Sequence, residues 1–129
     1  MILVDWSVEA GNLWYPGINT NAIGNYLGYV LSMLKFNYYA SYRRMHCIGH
    51  SLGTHVCNYA SLYLGKSLGR ITGLDPADLT GNMKPIRGNA HFTDIIHTTI
   101  LFGDTSPLAD ADFYPNGGKN QGSECGQGK

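Results

Sequence analysis

The chain has 129 residues, of which 43% are apolar and 14% are charged, so it is long enough for one domain with a buried core. Nine basic and nine acidic residues give a formal net charge of zero, which gives no reason to expect nucleic acid or an anionic membrane as a partner. No apolar run approaches the roughly 18 residues of a membrane-spanning helix, and the N-terminus lacks the basic region of a signal peptide.

Short apolar runs alternate with segments of helical periodicity along the chain. Buried strands are predicted at residues 2–4, 44–48, 70–74 and 92–98. Helices are predicted where apolar residues recur every three or four positions, at residues 23–34 and 52–64. Loops are expected at residues 5–20, 37–42 and 78–89 and in the Gly-rich tail from residue 103. Strands that alternate with helices predict an α/β fold, with a mostly parallel sheet and crossover helices.

The three cysteines cannot all pair within the chain. Cys47 and Cys57 lie in apolar settings, and we expect both to be buried free thiols. Cys125 lies in a polar, Gly-rich tail and is either an exposed thiol or half of a disulfide whose partner lies beyond the C-terminus. The second interpretation is favoured, because other features also suggest that the chain is part of a longer one.

The strongest functional signal is the Gly-x-Ser-x-Gly pentapeptide at residues 49–53, centred on Ser51. It follows a predicted strand and opens a predicted helix, which is the context that a nucleophile elbow requires. Close approach of strand and helix would leave no room for side chains at Gly49 and Gly53. The backbone N–H of Leu52 would donate to the oxyanion of an acyl-transfer intermediate. The alternative is a Gly-rich turn in which Ser51 merely caps a helix.

A second candidate, Asp75, lies 24 residues after Ser51, at the end of the next predicted strand and directly before Pro76. Sites of open α/β sheets gather at this edge, and a carboxylate there could orient the histidine of a Ser-His-Asp triad. The alternative is a turn-capping Asp, which is common before proline. The presence of Ser51 favours the catalytic role.

The third triad member should be a histidine that follows Asp75, and only His91 and His97 do so. His97 lies within a predicted strand, where a histidine is more often a buried, hydrogen-bonded residue than a mobile base. His91 directly precedes that strand and is a weaker candidate. We therefore expect the catalytic histidine to lie outside this chain.

Five segments resemble the pancreatic-lipase-like family of lipases. In chain order they are ILVDW at 2–6, IGHSLGTH at 48–55, TGLDPA at 72–77, DIIHT at 94–98 and DFYPNGG at 112–118. The continuation KNQ at 119–121 favours the insect and venom phospholipase A1 branch. The resemblance implies a secreted α/β-hydrolase that cleaves lipid esters at a lipid–water interface.

The resemblance also implies roles for individual residues. Ser51 corresponds to the nucleophile, Asp75 to the triad carboxylate and the N–H of Leu52 to one oxyanion donor. The family's second oxyanion donor would precede Met1, and both its catalytic histidine and a disulfide partner for Cys125 would follow the last residue. We therefore expect residues 1–129 to be the central part of a lipase-type domain, incomplete at both ends.

Some relatives bind calcium in the loop between the strands that carry Asp75 and Asp94. Lys84, Ile86 and Asn89 stand where carboxylates or arginine would be expected, so no metal site and no cofactor is predicted. Thr54 replaces the usual alanine behind the elbow, a change that we expect to be tolerated.

Three functional hypotheses remain. The first is a phospholipase A1 or triacylglycerol lipase, with a chain that is itself inactive if it lacks its base. The second is a non-catalytic lipid-binding protein of the yolk-protein type, against which the retained Ser51 and Asp75 argue. The third is a chain that does not fold stably alone. The substrate preference and the oligomeric state are not determined by the sequence.

Overall fold

A computed structural model describes residues 1–10, 16–78, 85–101, 103 and 105–120. The helices are α1 (Ser7–Ala10), α2 (Pro16–Tyr38) and α3 (Gly53–Tyr63). The strands are β1 (His46–His50), β2 (Arg70–Leu74), β3 (Thr93–Ile96) and β4 (Ala111–Phe113). They form one sheet in the order β1-β2-β3-β4, and every neighbouring pair is parallel. The α/β fold with a parallel sheet is therefore confirmed.

The central strand–helix–strand unit agrees best with the sequence pattern. The predicted strands at 44–48 and 70–74 correspond to β1 and β2, and the predicted helix at 52–64 corresponds to α3. The helix predicted at 23–34 is the middle of α2, which begins at Pro16 and so occupies residues that were expected to be loop. The strand expected at 92–98 is shorter, and His97 lies just beyond β3.

The strand predicted at residues 2–4 is wrong. Residues 1–6 have no regular structure, and Ile2, Leu3 and Val4 expose 56%, 81% and 42% of their surface. A strand is stabilised by its hydrogen-bonded neighbours, and in the described part of the chain β2 is the only strand that pairs with β1. An apolar run that lacks this pairing does not become a strand.

The Gly-rich tail contains a strand that the sequence pattern did not predict. β4 has only three residues, and it continues the sheet beside β3. A 3₁₀ turn at Pro115–Gly118 follows it. Three residues are too few to show the alternation of apolar and polar residues by which a strand is recognised in a sequence. β4 is therefore identified only by its pairing with β3 in the structure.

The core lies between the sheet and two helices. α3 packs against β1 and β2, and α2 packs along α3. A Cβ added at Gly24 of α2 would lie 2.4 Å from the Tyr59 Cβ, which shows how closely the two helices approach. Among the described residues, no helix combines the length and apolarity needed to cross a bilayer. The largest fully buried apolar side chains of the core are Leu68, Ile71, Ile86 and Ile95.

A polar network lies on the sheet face opposite α3. Arg70 donates two hydrogen bonds of 2.8 Å to the Asp94 carboxylate, which also accepts the Thr72 hydroxyl at 2.8 Å. The Arg70 guanidinium and this hydroxyl hold the pKa of Asp94 below its usual value. The His46 Nε2 lies 2.7 Å from the Thr72 hydroxyl, and partial burial followed by the nearby Arg70 charge lowers the pKa of His46. The network ties β1, β2 and β3 together.

Candidate active site

Ser51 lies on the tight turn that joins β1 to α3. Its φ is +53°, a left-handed conformation that is uncommon for a residue with a side chain. Its backbone N–H donates to the Leu74 carbonyl at 2.9 Å, and its own carbonyl accepts the Thr54 N–H at 3.2 Å. Hydrogen bonds to a strand on one side and to the first turn of a helix on the other hold the strained residue in place.

The turn places Ser51 at the N-terminus of α3. Leu52 is the N-cap residue, with φ −61° and ψ −22°, and its carbonyl accepts the His55 N–H at 3.0 Å. Backbone N–H groups at this end of a helix carry partial positive charge and favour an anion. The Leu52 N–H thus lies at the helix N-terminus, and its role as an oxyanion donor stays a prediction.

The two glycines of the pentapeptide differ. A Cβ at Gly49 would lie 2.2 Å from the Gly53 carbonyl oxygen and 2.5 Å from the Thr54 nitrogen, so this position has no room for a side chain. A Cβ at Gly53 would meet no heavy atom of the described residues within 4 Å. The expectation that close packing requires both glycines is therefore met at Gly49 and is wrong at Gly53, because only Gly49 lies between the strand and the helix.

Asp75 is the first residue after β2, and its φ is +48°. Its backbone N–H donates to the Ile96 carbonyl at 2.8 Å, and its carboxylate Oδ1 accepts the N–H groups of Thr98 and Thr99 at 2.9 and 3.0 Å. In the described part of the chain no group donates to its other oxygen, Oδ2. One oxygen of the carboxylate is thus fixed by backbone N–H groups beyond β3.

The sheet register brings Ser51 and Asp75 to the same edge. His50 at the end of β1 pairs with Leu74 at the end of β2, so Ser51 and Asp75 are each one residue beyond a paired position. Neighbouring strands lie about 5 Å apart, so the two residues start from adjacent backbones at the carboxyl edge of the sheet. This is the edge at which ligands bind in open α/β sheets.

A cavity of about 450 Å³ opens beside Ser51 and is lined by residues 4–7 and 50–52. A larger cavity of about 740 Å³ lies between the N-terminal residues, α2 and β1, but Ser51 does not line it. The chemistry of a nucleophilic serine favours the smaller cavity as the candidate active site.

The described residues do not bring a histidine base to Ser51. His97 is 1% exposed, and its Nε2 lies 2.9 Å from the Asp112 carboxylate, which also accepts the N–H groups of Leu108 and Ala109. The His97 ring stacks on Tyr114 with centroids 4.6 Å apart. His97 therefore helps to fix the segment around β4. The expectation that the base lies outside this chain stays a prediction.

The other four histidines have different surroundings. Within the described ranges, His46 contacts the Thr72 hydroxyl, His91 contacts the Arg43 guanidinium at 2.8 Å, and His55 contacts a backbone carbonyl at 2.7 Å. His50 is exposed at the end of β1 and precedes Ser51 in the chain.

Cys47 and Cys57 form a disulfide, so the expectation of two free thiols is wrong. The elbow reverses the chain direction, and α3 packs back onto β1. A residue four positions before Ser51 and one six positions after it are thereby brought together, with Cα atoms 5.7 Å apart. The reversal at Ser51 was itself predicted, so the spacing of these cysteines around it was a signal that could have revealed the bond. Cys125 lies outside the described residues.

The residues of the loop considered for calcium have different surroundings, as does Thr54 behind the elbow. Ile86 is fully buried in the core, and the Asn89 side chain donates to the Asn58 side chain at 2.9 Å. Lys84 lies outside the described residues. Thr54 is fully buried and donates its hydroxyl to the Gly49 carbonyl at 3.0 Å, so this polar side chain has a partner behind the elbow.

The model of the family described as Lipase matches residues 1–126. This chain belongs to the lipase family. The resemblance of the five segments is thereby confirmed, and the fold with its serine elbow fits a lipase domain.

The chain is similar to several curated members of the lipase family. It is 34% identical over 131 residues to pancreatic triacylglycerol lipase of Equus caballus, covering 92% of this chain and 28% of that protein. It is 32% identical over 141 residues to phospholipase A1 1 of Dolichovespula maculata, covering 94% of this chain and 44% of that protein. It is 37% identical over 131 residues to inactive pancreatic lipase-related protein 1 of Canis lupus familiaris, with shares of 92% and 28%. The chain thus spans less than half the length of each.

Proposed function

We propose that this chain carries the nucleophile half of a lipase that hydrolyses lipid esters by acyl transfer. The observation that carries the proposal is the location of Ser51 and Asp75, which follow register-paired strand ends at one sheet edge and both adopt left-handed backbone conformations. Such strain is found where surrounding structure holds a functional residue in place. Relatives named as triacylglycerol lipase and phospholipase A1 support the substrate class.

In the proposed mechanism the Ser51 hydroxyl attacks the ester carbonyl while a base accepts its proton. The negative oxygen of the tetrahedral intermediate accepts a hydrogen bond from the Leu52 N–H. Collapse expels the alcohol, which takes the proton, and leaves an acyl group on Ser51. Water then attacks this acyl-enzyme, and the fatty acid leaves. The Oδ2 of Asp75, which accepts no hydrogen bond from the described residues, would orient the base and stabilise its cation.

We further propose that the base and the second oxyanion donor come from parts of a lipase domain outside these 129 residues. The coverage of 28% to 44% of the relatives' length leaves ample chain for both. We also infer secretion from the resemblance to this family, and the Cys47–Cys57 disulfide supports it, because such bonds persist in oxidising compartments. The substrate would be met at a lipid–water interface.

Fluorophosphonate labelling of Ser51 tests the nucleophile and the absent base together. Without additives we expect no labelling of the 129-residue chain, whereas added imidazole should supply a base and give slow labelling at Ser51. Ser51→Ala is the control and should stay unlabelled. Labelling without imidazole would contradict the absence of a base, and no labelling of a folded chain in imidazole would contradict the nucleophile.

The native full-length protein tests the substrate class. We expect release of fatty acid from phosphatidylcholine vesicles or triacylglycerol emulsions, abolished by Ser51→Ala. The relative strength of the two activities decides between a phospholipase A1 and a triacylglycerol lipase, since identities of 32% and 34% do not separate them.

A non-catalytic lipid-binding protein is the second candidate, because a relative with 37% identity is named as inactive. Binding to lipid vesicles with no fatty acid release by the full-length protein would favour this function. Thermal melting of the 129-residue chain tests the hypothesis that it does not fold stably alone. A cooperative transition would contradict that hypothesis.

A further inference from the structure

His55 joins the helix of the candidate nucleophile to the turn that carries the candidate carboxylate. It lies in the first turn of α3, four residues after Ser51, and its ring Nε2 is 2.7 Å from the carbonyl oxygen of Ala77. A carbonyl oxygen only accepts hydrogen bonds, so Nε2 carries the proton and donates it in this contact. Ala77 is two residues beyond Asp75 and is 4% exposed, so its carbonyl has little access to water.

The turn from Asp75 to Ala77 begins with a strained residue and is held by neighbouring elements. Asp75 is in a left-handed conformation, which for a residue with a side chain is held only by its surroundings. Pro76 is fully buried and has no N–H to donate. The start of the turn is fixed to β3 through the Asp75 N–H, and its end forms an antiparallel bridge between Ala77 and Gly103. Among the described residues, the His55 side chain provides the side-chain hydrogen bond from α3 to this turn.

We propose that His55 is a positioning residue that fixes the Asp75 carboxylate relative to Ser51. This inference rests on the proposed function, since it assigns His55 a purpose only if Ser51 and Asp75 act together. In this arrangement the Nε2 of His55 contacts the Ala77 carbonyl, and the proposal gives His55 no role as the base. The hydrogen bond of this rigid ring makes α3 and the Asp75 turn move together. The distance between Ser51 and Asp75 therefore stays constant.

Three substitutions separate the hydrogen bond from the bulk of the ring. His55→Leu keeps an apolar side chain of similar size but removes the donor. His55→Gln places an amide N–H near the location of the ring Nε2, whereas His55→Asn carries the same amide on a shorter side chain that does not reach Ala77. In the native full-length protein we expect His55→Leu and His55→Asn to lower kcat about 10- to 100-fold with little change in KM, because misplacement by an ångström costs up to about 100-fold. His55→Gln should restore most of the rate.

A double-mutant cycle with Asp75→Ala tests whether the effect acts through the carboxylate. Once Asp75 is removed, His55→Leu should lower kcat by less than about twofold further. An equal loss in both backgrounds, an unchanged kcat in His55→Leu, or equal rates for the Gln and Asn variants would overturn the inference. If His55→Leu fails to fold, the Gln and Asn pair still decides it. Full activity of Ser51→Ala or Asp75→Ala would instead reject the proposed function itself.

Discussion

The close contact at Gly49 allows a quantitative prediction about the elbow. A methyl group at this position would lie 2.2 Å from the Gly53 carbonyl oxygen, 2.3 Å from the Gly53 carbonyl carbon and 2.5 Å from the Thr54 nitrogen. Ordinary non-bonded contacts of carbon are about 3.5–4.0 Å, so the backbone of β1 or α3 would have to move by about 1 Å. Overpacking of this kind costs about 1–3 kcal/mol and sometimes more. Because backbone atoms cannot rotate away, we expect Gly49→Ala to lose about 3 kcal/mol or more.

Gly53→Ala is the matched control, because it adds the same methyl group only four residues along the chain. Among the described residues no heavy atom lies within 4 Å of the new methyl, and Gly53 is the first residue of α3. Alanine at a compatible helical position reduces the entropy of the unfolded chain and stabilises by about 0.4–1 kcal/mol. The two variants should therefore change the stability in opposite directions and differ by about 3–4 kcal/mol.

Urea denaturation followed by circular dichroism measures this difference. The free energy of unfolding, extrapolated to water, is compared for the wild type and the two variants. A loss of 3 kcal/mol is a large part of the roughly 5–15 kcal/mol that stabilises a typical domain, so the shift of the midpoint will be plain. A Gly49→Ala variant as stable as the wild type, or a Gly53→Ala variant as damaged as Gly49→Ala, would refute the packing described for the elbow.

Two further predictions concern the covalent and ionic links of the sheet. Reduction of the Cys47–Cys57 disulfide, or Cys57→Ala, should lower the free energy of unfolding by roughly 2.5–3 kcal/mol, because the bond closes a loop over a separation of 10 residues and so lowers the entropy of the unfolded chain. An unchanged urea midpoint in dithiothreitol would contradict this prediction. The pKa of Asp94 is lower in the folded state than in the unfolded state. The carboxylate therefore contributes its full stabilisation above the unfolded pKa of about 3.9, and this stabilisation is lost as the pH falls through the folded pKa. Arg70→Gln should therefore weaken the loss of stability below pH 4, and identical acid unfolding profiles of variant and wild type would exclude this role.

The part of the fold that the sequence predicted is the part with local signals. β1, α3 and β2 were recognisable because a short apolar run, a glycine-flanked serine and a helical repeat follow one another within 29 residues. Residues 2–4 have as strong an apolar pattern as β1, but no strand of the described residues pairs with them. β4 has a weak pattern, yet its three residues pair with β3. Strand formation depends on a partner, and partners are distant in sequence.

The candidate site also has features that local sequence signals predicted and features that depend on distant residues. Ser51 and Asp75 were predicted because each lies in a short motif at the end of a strand. The environment of Asp75 was not predictable, since the N–H groups of Thr98 and Thr99 that fix its carboxylate come from the chain beyond β3, 23 and 24 residues away. The role of His97 likewise depends on Asp112, a residue of β4 that no local pattern connected to it.

The parallel register explains why two strained residues can occupy one edge. In a parallel sheet the N–H of each residue that follows a strand can still donate to the neighbouring strand, as Ser51 does to Leu74 and Asp75 does to Ile96. These hydrogen bonds offset part of the cost of a left-handed backbone, about 1–2 kcal/mol for each residue. The same two bonds link β1 to β2 and β2 to β3 in succession. A change that loosens either pairing should therefore release the backbone of Ser51 or of Asp75 before it unfolds the sheet.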